Sequence, residues 1–156
     1  MNTTTESYKK KQASTTVLVF NKFKELYSAV YGKNYVIPNS EYSKEMKFAK
    51  DMANDICCVL RIYEKTPSYE NVERCFDIII NYLPDSQQFI KYLRYLNETG
   101  GDMTLFRFKT TRWRECISWL DEMFHRALIR KQNEEALNYE PMITHTGESA
   151  ISIESN

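Results

Sequence analysis

The stretch Leu105-Phe106-Arg107-Phe108-Lys109-Thr110-Thr111-Arg112-Trp113-Arg114 decides how the chain is read. It follows the single Gly-Gly pair, Gly100-Gly101, and holds four cations with no acid between Asp102 and Glu115. Its first half alternates. On an extended chain Met103, Leu105 and Arg107 fall on one side and Thr104, Phe106 and Phe108 on the other. That pattern predicts a strand over residues 103–109. A lone strand is unstable, and the β-prone Tyr35-Val36-Ile37 would supply a partner for a short two-stranded ribbon. The second half predicts a helix start, with Thr110 or Thr111 as N-cap of a helix that carries both tryptophans and reaches about Leu137.

Outward from this stretch the periodicity is helical. Val19, Phe20, Phe23, Leu26, Tyr27 and Val30 form one apolar stripe, which predicts a helix from about Ser14 to Tyr31, stopped by Gly32. A second helix is expected from near Ser40 to about Tyr63, burying Tyr42, Met46, Ala49, Ala53, Ile56, Leu60 and Tyr63. Thr66-Pro67 reads as a cap and first position of a third helix reaching Leu83. Pro84-Asp85-Ser86 then opens a fourth, to about Asn97. In the last helix Trp113, Cys116, Ile117, Leu120, Met123, Phe124, Ala127 and Leu128 make a wide apolar face. The expected fold is therefore mainly α, a single-domain bundle of five helices over residues 14–138, with at most a ribbon pairing 35–37 with 103–109. Residues 1–13, with Lys9-Lys10-Lys11, and the acidic residues 139–156 are expected to be disordered tails.

Composition limits the function classes. The chain has 156 residues, 21 cations, 21 anions and formal net charge zero. Residues 139–156 contain Glu140, Glu148 and Glu154 and no cation, which leaves the rest at +3. Any nucleic-acid site must then be a local patch, because the chain as a whole is not basic. Cys57, Cys58, Cys75 and Cys116 form no C-x-x-C pair and read as reduced thiols on helices, as in a reducing cytoplasm. No run approaches the roughly 18 apolar residues of a membrane span. Neither histidine, His125 nor His145, stands in a ligand cluster or general-base arrangement, and no phosphate loop, nucleophile elbow or zinc motif occurs. The expectation is a cytoplasmic protein that is not an enzyme and binds neither metal nor cofactor.

Binding signals remain. Arg107, Lys109, Arg112 and Arg114 could neutralise phosphates, with Phe106, Phe108 or Trp113 either stacking on bases or filling the core. Arginines in the first turn of a helix are unfavourable, and an anion held at that N-terminus would relieve them. On the second helix Lys47, Lys50, Asn54 and Arg61 fall within about 60° of one another, while Asp51 and Asp55 point elsewhere. Such a stripe suits phosphate and base-edge contacts, and equally an ordinary solvated face. Trp119 falls about 100° from the middle of the last helix's apolar face, beside Arg126 and Arg130. That offers a protein partner surface as the alternative. A helical homodimer would also fit the neutral charge.

The segment Phe23-x-x-x-Tyr27-x-x-x-Tyr31-Gly32-Lys33-x-Tyr35, followed by Glu45-Met46-Lys47-Phe48-Ala49-Lys50, resembles stretches of bacteriophage-encoded replication and DNA-binding accessory proteins over residues 20–61. The resemblance implies a small, phage-encoded DNA-binding protein with an accessory role in replication or transcription, acting in the host cytoplasm. The alternative is a helical adaptor or an inhibitor of a host enzyme.

Overall fold

Phe108 is completely buried, and the fold is easiest to build around it. In the computed structural model, which describes residues 3–139, its ring lies 5.7 Å from Phe23, 6.5 Å from Phe89 and 6.1 Å from Trp113. Phe76 stacks on Trp113 at 5.8 Å. Aromatics from five separate helices thus meet in one core. The helices are α1 (Thr3–Tyr31), α2 (Tyr42–Ile62), α3 (Tyr69–Tyr82), α4 (Gln87–Glu98), α5 (Leu105–Thr111) and α6 (Trp113–Tyr139), with short 3-10 turns at Asn39–Glu41 and Leu83–Asp85. No strand occurs among the described residues.

The helical fold class stands, but the described residues form six α-helices instead of the expected five, and the 35–37 with 103–109 ribbon is not formed. Residues 105–111 are helical because Thr104 caps them, its hydroxyl accepting from the Arg107 amide at 3.1 Å. Leu105 and Phe108 are buried three residues apart, on one helical face. Seven residues with apolar positions 105, 106 and 108 satisfy either period, and the cap decides between them. The last helix consequently starts later than Thr110 or Thr111. Those hydroxyls donate backward, Thr110 to the Phe106 carbonyl at 2.8 Å and Thr111 to the Arg107 carbonyl, so neither is an N-cap. Arg112 is a kink between α5 and α6, its carbonyl accepting from the Cys116 amide at 3.3 Å.

Other boundaries also shift. The backbone of α1 is helical back to Thr3, ahead of the expected start at Ser14 and through the residues expected to be a tail. Ser68, not Thr66, caps α3 by accepting from the Asn71 amide at 3.2 Å. Ser86 caps α4 as expected, accepting from Phe89 at 3.3 Å. Gly32 and Gly100 take left-handed φ values of +68° and +75° at the ends of α1 and α4, where a side chain would strain the turn. The acidic tail expected over 139–156 lies outside the described residues, apart from the helical backbone of Tyr139.

The described chain divides into two compact units, Met1–Leu120 and Asp121–Asn156. In the first, α1 packs on α2 and α3, and α2 packs on α5. An ion pair crosses α1 to α3, where Lys22 Nζ lies 2.7 Å from Asp77 and 3.7 Å from Glu73. The hydrogen bond to Asp77 raises the Lys22 pKa above its ordinary value. In the second unit Arg126 pairs with Glu122 at 2.5 Å, one helical turn apart, and Leu128, Ile129 and Leu137 are exposed.

Candidate functional site

The tyrosine repeat at the end of α1 holds the chain that leads into α5. Tyr27 and Tyr31 are one turn apart, and Tyr35 follows the Gly32 stop, so three hydroxyls converge on residues 102–105. Tyr27 donates to Asp102 at 2.7 Å, Tyr31 accepts from the Met103 amide at 2.8 Å, and Tyr35 accepts from the Leu105 amide at 3.0 Å. The rings pack together, 4.6 Å from Tyr27 to Tyr31 and 4.9 Å from Tyr27 to Tyr35. Asp102 also meets Lys33 at 3.1 Å, and the Tyr27 hydroxyl and then Lys33 hold its carboxyl below the ordinary range. Burial pushes the Tyr27 and Tyr31 hydroxyls up. This clasp fixes the start of α5 and with it the orientation of the basic stretch.

Three cations of that stretch are engaged within the protein. Arg107 folds back over Gly101 and donates to the Asp102 carbonyl at 2.9 Å, so close that a Cβ on Gly101 would sit 2.3 Å from its guanidinium. Lys109 lies 3.5 Å from Asp51 and 5.5 Å from the centre of the Phe48 ring. Arg112 lies 3.3 Å from Glu115 and 5.3 Å from the Tyr92 ring centre. Arg114 alone is exposed without a partner among the described residues, beside a shallow recess lined by Asp55, Lys109, Trp113 and Ile117. The aromatics divide. Phe108 and Trp113 are core, and Trp113 Nε1 donates to Asp55 at 2.9 Å, whereas Phe106 is 51% exposed against Phe48. Because the helix is continuous but for the kink at Arg112, the expected anion site at a Thr110–Thr111 helix N-terminus is absent.

The α2 stripe has the opposite character. Lys47, Lys50, Asn54 and Arg61 are all exposed, and none has a side-chain partner among the described residues. The acids of the same helix turn away from that stripe. Glu45 is buried against Tyr35, Asp51 meets Lys109, and Asp55 accepts from Trp113. Charge is therefore sorted across α2, with cations outward and carboxylates toward α5, α6 and the Tyr35 loop.

The sequence reading missed a groove of about 480 Å³ between the Tyr35–Pro38 linker, the start of α2 and α5. Val36, Ile37, Pro38, Phe48 and Phe106 give it an apolar lining, and Val36 is 82% exposed. Glu45 forms part of its wall at only 7% exposure, accepting a short hydrogen bond from Tyr35, and burial raises its carboxyl above the ordinary range. Two signals existed in the sequence. Glu45 stands seven residues before Met52 and eleven before Ile56, on the buried line of α2, and Tyr35-Val36-Ile37 is apolar with no helical register.

Trp119 stacks on Tyr82 at 4.2 Å within the first unit, while Arg126 and Arg130 are exposed in the second. All four cysteines are free. Cys58 is exposed, and burial pushes Cys75 up to about 11 and Cys116 up to about 12. Those two buried thiols are correspondingly unreactive. No group of three His, Cys, Asp or Glu side chains among the described residues could hold a metal, and no described helix is long and apolar enough to cross a membrane. No protein-family model matches the chain, and no curated protein or solved structure matches it significantly.

Proposed function

We propose that the chain is a non-enzymatic DNA-binding accessory protein whose contact surface is the outer face of α2. The observation that carries this reading is the sorting of charge on that helix. Lys47, Lys50 and Arg61 are exposed with no ion pair among the described residues, Asn54 lies among them, and each acid of α2 is engaged elsewhere, Glu45 with Tyr35, Asp51 with Lys109 and Asp55 with Trp113. The stripe from 47 to 61 spans roughly 21 Å at about 1.5 Å per residue, long enough to follow several successive phosphates. The two lysines and the arginine supply sequence-independent contacts, and the Asn54 amide can meet a base edge. Arg114 extends the surface past Asp55. Arg107, Lys109 and Arg112 contribute less to the contact, because each is already held within the protein, by the Asp102 carbonyl, Asp51 and Glu115. The resemblance over residues 20–61 favours a phage-encoded role in replication or transcription.

An anisotropy titration of a labelled oligonucleotide, duplex and single-stranded, tests the reading. With three to four phosphates neutralised, affinity should fall on the order of tenfold to a hundredfold between about 50 and 200 mM salt. The combined reversal Lys47→Glu, Lys50→Glu and Arg61→Glu should abolish binding. Affinity that ignores salt, or survives that reversal, would sink the proposal.

A second reading, a helical protein-interaction module acting as an adaptor or inhibitor, is favoured by the apolar groove beside Tyr35.

A further inference from the structure

We infer that the groove between Tyr35–Pro38 and Phe106 receives an extended segment of a partner protein, apolar in character and carrying one lysine or arginine. The inference rests on the interaction-module reading and is independent of the α2 cation face.

The linker carries the first argument. Residues 34–38 belong to no regular element, and Pro38 sits at φ −62° and ψ 148°. A proline also disfavours helical backbone at the residue before it, Ile37. The main-chain groups of Tyr35, Val36 and Ile37 have no backbone hydrogen bond among the described residues. The strand partner that the sequence seemed to offer, residues 103–109, is a helix instead. An unpaired, β-prone, extended stretch is what strand addition by a second chain requires, with main-chain bonds giving affinity and side-chain pockets giving selectivity.

The groove carries the second. At about 480 Å³ its size is that of a true ligand cleft, and its apolar wall joins Val36 and Ile37 on one side to Phe48 and Phe106 on the other. Val36 and Phe106 are large apolar side chains that both line the groove and are both exposed, at 82% and 51%.

Charge selects the occupant. Glu45 is almost fully buried, and among the described residues its carboxyl is compensated by a neutral hydroxyl, Tyr35. Glu41 also lines the groove, and its contact with the exposed Lys44 is long, 4.0 Å. Glu41 and Lys44 are both solvated and oppose one another, so the poorly matched charge at the groove is the buried Glu45 carboxyl. A basic side chain entering beside an apolar one would compensate Glu45, whereas an acidic peptide would face two carboxyls.

The experiment pans a random ten-residue peptide library on the full chain, then titrates enriched peptides by anisotropy. Enriched peptides should combine apolar residues with a lysine or arginine. Val36→Lys and Phe106→Ala should each weaken binding at least tenfold. Both positions are exposed, and unchanged circular dichroism confirms the fold. Glu45→Gln, which keeps an acceptor for Tyr35, should erase the preference for a basic residue over alanine. The Lys47→Glu, Lys50→Glu, Arg61→Glu variant should bind the peptides as the parent does, which separates this site from the DNA surface. No enrichment, acidic consensus peptides, or binding indifferent to Val36→Lys would overturn the inference. So would full displacement by phenethylamine alone, which would mark a small-amine site, or by an oligonucleotide.

Discussion

Residues 107–114 and the outer face of α2 each hold a cluster of cations, yet their surroundings are opposite. In the first, Arg107, Lys109 and Arg112 meet a carbonyl of Asp102, the carboxylate of Asp51 and that of Glu115. In the second, Lys47, Lys50 and Arg61 are exposed and have no ion-pair partner among the described residues. A dense basic-aromatic run in a sequence marks where cations are, not whether they are free. The sparser α2 stripe is free because the acids of its own helix are engaged by Tyr35, Lys109 and Trp113 instead.

The largest test of this contrast asks whether 105–114 is structural. Phe108→Ala removes the ring at the meeting point of α1, α4 and α6 and should cost about 3–5 kcal/mol in chemical denaturation. Phe106→Ala, on the exposed side of the same short helix, should cost less than about 1 kcal/mol. Similar costs at the two positions would contradict a two-faced α5.

These two residues also mark what the sequence could and could not tell. Helical period identified α1 to α4 and, in α1 and α2, most of the buried positions, Phe23 and Ile56 among them, because each runs for several turns. It failed at 103–109, where seven residues fit either period. The deciding Thr104 cap resembled an alternating strand residue. The Arg112–Glu115 pair, three residues apart in a stretch the sequence already assigned to the last helix, is an ordinary helical contact. The Lys109–Asp51, Trp113–Asp55 and Tyr35–Glu45 contacts depend on tertiary placement, so no local pattern announces them.

A smaller effect sharpens the role of the tyrosine clasp, which positions the engaged cations. Tyr35→Phe strips a donor from buried Glu45 and an acceptor from the Leu105 amide at the start of α5. The cost should be about 1–3 kcal/mol, as for buried polar groups left unsatisfied. Tyr42→Phe, at a half-exposed ring 6.0 Å from Phe20, should be near neutral. Equal effects at the two tyrosines would remove the clasp from the account.

Smaller again is a pH effect at Glu45. Burial is the leading cause of its raised pKa, outweighing the Tyr35 hydrogen bond. A carboxyl whose folded pKa lies above its unfolded value is penalised when charged. The cost is present at neutral pH and fades as pH falls through the folded pKa toward the unfolded one. Glu45→Gln should therefore raise the melting temperature slightly at neutral pH, with the gain vanishing near pH 4, about the ordinary carboxylate value. A gain that grows on acidification would mean that Tyr35 stabilises the charged form more than burial opposes it.

The smallest expected effect bears most directly on the comparison. Neutralising the α2 stripe with Lys47→Gln, Lys50→Gln and Arg61→Gln should leave stability within roughly 0.5 kcal/mol of the parent, since no described partner is lost. A slight gain is expected at low salt, because Lys47 and Lys50 are like charges one turn apart. Lys109→Gln and Arg112→Gln should instead each lose a few tenths to about 1 kcal/mol, the ordinary range for partly exposed ion pairs, and lose less as salt screens them. Denaturation curves at low and high salt separate the two sets. If the α2 triple variant cost more than about 1 kcal/mol, its cations would be holding the fold together, as those of 107–112 do, and would not be the free charges a phosphate surface requires.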